Sequence, residues 1–441
     1  MVKKAQKILF SIFFLIFLFS APVLILHSQG YRLDWENKKI TQTGGLFLRI
    51  LPKKSSVYLN RELIQKTDFF FGSILIENLL PKRYHIKVHK EEYFPWEKEL
   101  EIKEKEVTEA KNILLFPKNP NFIPLVKGVQ DFWFSPNKRK IILREKEGEN
   151  LWALKLYDLD KNVKSQLIGE GDVFTSTDST SSPQTDPKQI KRRAEFFSLE
   201  FLNNGNEILL EIGIGEQIKY FTLNINATFP ILEEVKKPLP LLENIVTQKI
   251  LNGDVYYLDN WGHLYKTNPS SLLKEKITII PFPIQQETDY ELDIFSEFIF
   301  LKEGKSLYLL NQTDGLFEKF FDNIVSLKLS PDKKKLVYFS KNEIHVLFLK
   351  EQKSQPRRII GEKIFLIRLS EKITDVFWMN SDYLVFSTEN AIKIIETDTR
   401  DKVNIINLGE FMDPEIFWNL VDKKLYLLSK ENLLISQKLI P

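Results

Sequence analysis

The chain has 441 residues and no cysteine. That removes disulfides, thiol catalysis and thiolate metal sites together, and it is compatible with an oxidising exterior without requiring one. Glycine and alanine are scarce while Lys, Ile, Phe and Asn abound, a bias that AT-rich codon usage would produce. No glycine-rich run has the spacing of a phosphate-binding loop, which excludes the common nucleotide cradles. No serine is flanked as a nucleophile elbow, and no His–Asp pair sits in a recognisable catalytic context. The net charge is only +3, with acids and bases mixed along the chain. A nucleic-acid footprint needs a basic stripe, so a nucleic-acid partner is excluded. No cofactor is implied.

What is present begins at the amino terminus. Ile8 to Leu26 is almost wholly apolar and carries no charge, after a basic head with Lys3, Lys4 and Lys7. About 19 residues at 1.5 Å each make roughly 28 Å of helix, close to the hydrocarbon thickness of a bilayer. The three lysines predict an inside amino terminus and place the remainder outside the cytoplasm. Pro22 falls late in this segment and is tolerable in a spanning helix. The alternatives are a cleaved signal peptide, with Ser28-Gln29-Gly30 as a weak cleavage site, and a buried core helix. The expected layout is a cytoplasmic head at 1–7, a transmembrane anchor at 8–27 and a juxtamembrane linker at 28–42. In that linker Tyr31, Leu33 and Trp35 alternate with polar residues, so Tyr31 and Trp35 suit either a membrane interface or packing against the next module.

Residues 43–117 read as a small antiparallel β-sandwich. Strands are expected over 46–51, 57–60, 84–89 and 98–107, with Pro52 and Pro81 at turns. Gly45-Leu46, the run from Pro52 to Asn60, Leu80-Pro81-Lys82-Arg83-Tyr84 and Glu92-Tyr93 together resemble the PEGA domain, a small surface-associated bacterial module. The resemblance spans Gly44 to about Pro117 and implies a spacer or adaptor outside the cell. In the motif that names the family, Lys54 and Ser55 replace Gly and Ala. Lys82 and Glu92 also stand where glycines are usual. A turn that needs positive φ would cost a lysine about 1 kcal/mol relative to glycine.

From 118 to 441 one unit recurs: an aromatic or aliphatic pair, a polar turn, then a strongly apolar strand. Copies begin near Trp133, Phe201, Ile250, Phe300, Leu329, Trp378 and Trp418. A spacing in the mid-forties suits a four-stranded propeller blade. The fold class is therefore all-β, an N-terminal helix and a sandwich followed by a roughly seven-bladed propeller. One interval near 30 residues predicts a blade short of a strand, or a count of six or eight. The early strand 122–126 is expected to pair beside the last one, at 433–439, and so remove the open edge. The blade-turn motifs Ser330-Pro331-Asp332 and Ser135-Pro136-Asn137 resemble the Ser-Pro-Asp-Gly-Lys signature of TolB-type propellers, which implies an envelope scaffold or a non-catalytic propeller. Residues 171–193 interrupt the pattern with Ser, Thr, Pro and Asp and read as an exposed flexible insertion.

Candidates for chemistry are few. His85 and His89 share a strand face, but a metal site needs a third ligand, and none is in sight. The repeat is expected to put mostly apolar and turn residues at the propeller's central channel. These features predict a non-enzymatic, membrane-anchored scaffold of the bacterial envelope, with a protein or cell-wall polymer as partner. The alternative is an enzyme, a glycan or peptide hydrolase or lyase using the central pocket, which would require carboxylates or histidines clustered at its mouth.

Overall fold

The computed structural model describes residues 2–35, 37–67, 71–148, 151–177, 193–202, 205–236, 244–268 and 274–440. The side chains of Lys3, Lys4 and Lys7 lie outside the described residues, as do positions 178–192 of the insertion. Helix α1 (Val2–Ser28) contains a stretch, Leu9–Ser28, of mean hydropathy 2.7 that no other described part of the chain covers. Its length and composition suit a single-pass anchor or a signal sequence alike. A two-stranded hairpin, Tyr31–Asp34 with Lys39–Gln42, follows directly.

The sandwich has two sheets. One is three-stranded, with Gly44–Leu51 between Ser73–Leu79 and Val107–Leu114. The other runs Glu62–Lys66, Ser56–Leu59, Arg83–His89, Trp96–Glu101. Period-2 alternation turns Leu46, Leu48 and Ile50 of one sheet onto Ile86, Val88 and Leu100 of the other, all of them buried. Two expectations change. The run 98–107 is broken by a turn, where Glu106 N–H donates to Lys103 O and Lys105 adopts φ 61°. That turn carries the chain to the other sheet, so Val107–Leu114 runs parallel to Gly44–Leu51. The module is thus mixed rather than antiparallel, and the chain enters at one end and leaves at the other. Lys54 and Glu92 do occupy positive φ, at 60° and 63°, and Lys82 does not.

Seven four-stranded antiparallel sheets follow, and they form the propeller. Blade 1 is Val129–Phe134, Lys140–Glu147, Leu151–Asp158 and Val163–Gly169. The inner strands of blades 2 to 6 are Ala194–Leu202, Ile245–Leu251, Tyr290–Phe295, Ile324–Leu329 and Ile373–Trp378. Blade 7 is Glu415–Asn419, Lys424–Ser429 and Asn432–Ser436, completed by the early strand Phe122–Lys127. The closure runs antiparallel from Phe122 opposite Ser436 to Lys127 opposite Asn432. No blade lacks a strand. The short interval arises because only Asn323 separates the outer strand of blade 4 (Leu316–Asp322) from the inner strand of blade 5.

The Ser-Pro-Asp turns are structural. Ser330 Oγ receives the Lys335 N–H at 2.9 Å and donates to Asp332 Oδ1 at 2.6 Å. Ser135 Oγ receives the Lys140 N–H at 3.0 Å and donates to Asn137 Oδ1 at 2.8 Å. Each turn ends in a lysine at positive φ, Lys138 at 61° and Lys333 at 56°. Lys333 is exposed, so Lys333→Gly should relieve the left-handed strain and stabilise the propeller by about 0.5–1 kcal/mol. Urea denaturation would read this as a raised midpoint at unchanged slope.

The blade-start tryptophans link neighbours. Trp378 Nε1 donates to Lys328 O of blade 5 at 2.8 Å, and Trp418 Nε1 to Met379 O of blade 6 at 3.1 Å. Both indoles are buried, which places their polar tips at partners that water would otherwise supply.

Candidate functional site

Every inner strand begins on one face of the propeller and ends on the other. One face therefore carries the turns joining first to second and third to fourth strands. The sandwich docks on that face. Its four-stranded sheet meets the blade 6 connection after Ala391–Glu396. There Lys98 Nζ lies 2.7 Å from Glu396 Oε1, with both side chains almost fully buried. Trp96 Nε1 donates to Glu396 Oε2 at 2.9 Å, and the side-chain amide of Asn404 donates to Oε1 at 2.8 Å. Lys98 also donates to Asp398 O at 2.7 Å. Around this network Arg400 reaches Glu109 O, Tyr383 OH receives the Leu114 N–H, and Phe116 packs edge-on against the Tyr383 ring. Burial drives the Tyr383 phenol well above its usual range, the nearby Glu396 charge adding to it.

Two aspartates of the seam stay ionised against their surroundings. Burial, the largest influence on each, would raise them. Arg400 outweighs it at Asp398, and the Glu99 and Lys402 amides outweigh it at Asp401, so both sit below the usual carboxylate range. A carboxyl held low in the folded state contributes stability above its unfolded value near 3.9, and that contribution is lost as pH falls through the lower folded value. The seam should therefore survive mild acid and loosen only below about pH 4. Hydrogen exchange across 96–101 and 396–404 against pH would show it, with Arg400→Ala moving the loss to higher pH.

Among the described residues, no second module covers the opposite face. At the channel mouth the inner strands of blades 6, 7 and 1 enclose a depression of about 350 Å³, lined by Phe132, Thr374, Asp375, Phe377, Glu415 and Phe417. Asp375 pairs with Lys328, whose ammonium lies 3.4 Å from the Phe377 ring centre. Burial lowers the Lys328 pKa, against the pull of Asp375. Asp131 pairs with Arg144. Burial and the Asp131 charge raise the Glu415 carboxyl, with Arg144 opposing. The mouth is mixed: Phe132, Phe377, Pro414, Ile416 and Phe417 give the apolar lining expected, and Asp375 and Glu415 depart from it. Inner strands near the axis have room on one side only, so polar groups that would clash with a neighbouring blade find the channel instead.

A larger cleft of about 1100 Å³ lies between blades 1 and 2 on the same open face. Lys146, Trp152, Glu170, Glu195, Phe197 and Ile218 line it. The start of the expected flexible insertion is instead helix α2 (Glu170–Thr177), ordered by the burial of Val173 in the core; it stands at the edge of this cleft, where the Glu170 carboxylate receives the Ala194 N–H at 2.9 Å.

The residues singled out from sequence divide plainly. Ser135, Pro136, Asn137, Ser330, Pro331 and Asp332 lie in turns of the docked face and touch neither cavity. His85 lies 3.7 Å from Glu97 on the outer face of its strand, and among the described residues no group of three potential metal ligands occurs. Sequence reasoning missed the channel acids, although a signal exists. Asp131, Asp375 and Glu415 each stand three residues before the blade-start aromatic Phe134, Trp378 or Trp418. It also missed Lys98, which shares the buried phase of Trp96 and Leu100 along its strand.

No family model matches the chain, and no curated protein matches it. Among solved structures, a chain of the mitotic checkpoint complex aligns with 73% of this chain over 92% of its own length, at 9% identity and a TM-score of 0.41. The Cps50 (Swd1) β-propeller domain of Myceliophteria thermophila covers 73% and 99% respectively, at 12% identity and 0.41. YCF48 from Cyanidioschyzon merolae covers 72% and 99%, at 9% and 0.41. The fold assignment rests on the strand order and the ring closure described above.

Proposed function

We propose that this chain is a non-enzymatic scaffold of the bacterial envelope, held by α1 in the cytoplasmic membrane, with its sandwich and propeller outside. The observation that carries the reading is the one-sided docking: the sandwich occupies one propeller face through a buried, hydrogen-bonded seam, and among the described residues no module covers the other. A rigid spacer that presents one free face suits a protein or cell-wall polymer as partner. The spacing kept from Pro52 to Tyr93 supports a PEGA-like spacer, and the Ser-Pro-Asp turns support a TolB-like propeller.

The absence of native cysteine makes the topology simple to test. Lys341→Cys lies on the open face and should react with a membrane-impermeant maleimide on intact cells or spheroplasts, whereas Lys4→Cys should react only after lysis. The reverse pattern would overturn the extracytoplasmic reading. The partner is sought by offering the solubilised protein to purified sacculi and to solubilised envelope, with bulky labels on the open face as competitors. Retention indifferent to those labels would remove the open face from the proposal.

A second reading is favoured by one observation, the three carboxylates at the channel mouth. A Glu415 carboxyl raised by burial and by the neighbouring Asp131, with Arg144 opposing, is the kind of group a general acid requires. Hydrolysis of envelope glycans or peptides that Glu415→Gln abolishes would establish that reading instead.

A further inference from the structure

The hairpin between α1 and the sandwich has two unlike faces. Strand alternation puts Arg32, Asp34 and Thr41 on one face, and Tyr31, Leu33, Trp35, Lys38 and Ile40 on the other. The first face is braced. Asp34 and Thr41 are buried, Thr41 Oγ1 donates to Glu104 at 2.5 Å, and Arg32 donates to Asn78 Oδ1 at 2.9 Å. Across the other, Leu33 pairs directly with Ile40, and the two are 42% and 59% exposed. Trp35 beside them is 80% exposed. A two-stranded hairpin has little stability of its own, so an apolar face left uncovered on a braced one needs an occupant.

We propose that this face lies in the headgroup layer of the bilayer that α1 enters, with Leu33, Trp35 and Ile40 inserted. The inference rests on reading α1 as a membrane anchor. Chain continuity selects the occupant. Ser28 ends α1 and Tyr31 opens the hairpin, so the two ends lie within about 10 Å. Arg32 also donates to His27 O at 2.9 Å, fixing the hairpin to the last turn of the helix. The proposed face carries Lys38, exposed in the hairpin turn and free to meet lipid phosphates, while Lys82, Arg83, Lys103 and Lys105 are exposed on the sandwich turns at the same end as Gly44, interleaved with Glu101, Glu104 and Glu106. Tryptophan with flanking lysines is the side-chain pairing that suits a membrane–water interface. The consequence is orientation. Because Gly44–Leu51 and Val107–Leu114 run parallel from this end to the propeller, a hairpin seated on lipid would hold the propeller at a fixed height, with its open face outward.

The test uses the full chain in phosphatidylglycerol–phosphatidylethanolamine proteoliposomes, with an environment-sensitive fluorophore on Lys38→Cys or on Lys341→Cys. Headgroup-attached nitroxide lipids should quench the label at position 38 several-fold more than the one at 341. The substitutions L33S, W35S and I40S together should abolish that difference. Carbonate extraction is run on the same samples. If the protein is retained and the label at 38 is quenched no more than that at 341, the hairpin proposal falls and the anchor stands. If carbonate releases the protein, the anchor reading falls and the hairpin proposal falls with it.

Discussion

Lys98→Met should cost the sandwich–propeller seam about 3–5 kcal/mol, the penalty for stranding a buried charge by removing one partner. Glu396 would keep its Trp96 and Asn404 donors but lose the Lys98 ammonium, its one cation among the described residues. Its carboxylate is 3% exposed as a residue, so water cannot replace the ammonium. The carbonyls of Asp398 and Lys402 would lose a donor as well. Thermal unfolding of the detergent-solubilised protein should split, with the sandwich and the propeller melting apart. Removing both charges, as in K98M with E396L, should recover much of the loss, because two well-packed apolar groups avoid desolvating either ion. The double-mutant cycle then isolates the coupling. A Lys98→Met protein that melts in one step at the wild-type temperature would show that the apolar contacts of Leu114 and Phe116 hold the seam alone.

This seam also marks where the sequence stopped being legible. Blades are local objects. Each carries its own apolar strands and a turn whose residues have a chemical reason to be there, so the seven copies could be read from Trp133 to Trp418 and the closing strand foreseen. The seam joins residues about 300 apart, as in Trp96 to Glu396, and no local pattern encodes such a pair. The parallel strand escaped for a similar reason: the charged run 103–106 is the turn that breaks 98–107, with Lys105 at positive φ, and the pairing of Val107–Leu114 with Gly44–Leu51 is not a local pattern. The channel acids were legible in principle. Their recurrence at one blade position is a sequence fact, but a search for apolar repeats passes over the polar member of the repeat.

Ring closure depends on a single strand from the far end of the chain, and Leu433→Pro should open it. Leu433 is wholly buried and lies between two partners, Leu428 on one side and Val126 on the other. Proline there removes a ladder N–H from a central strand and empties the Leu433 pocket. Either effect alone costs about 3 kcal/mol or more. The contrast lies one strand away. Pro124 occurs naturally in Phe122–Lys127, opposite Leu434 and beside a break in register. That strand is the outermost of its sheet, where a missing N–H faces solvent and costs little. The same residue is thus tolerated at the edge and excluded next to it. In Leu433→Pro, amide exchange should accelerate first in 122–127 and in the inner strands of blades 7 and 1, since these lose their shared edge. Blades 3 and 4, on the far side of the ring, should keep their protection until global unfolding. Uniform acceleration across all seven blades would mean that the ring unfolds as one unit and that the closing strand holds no separate free energy.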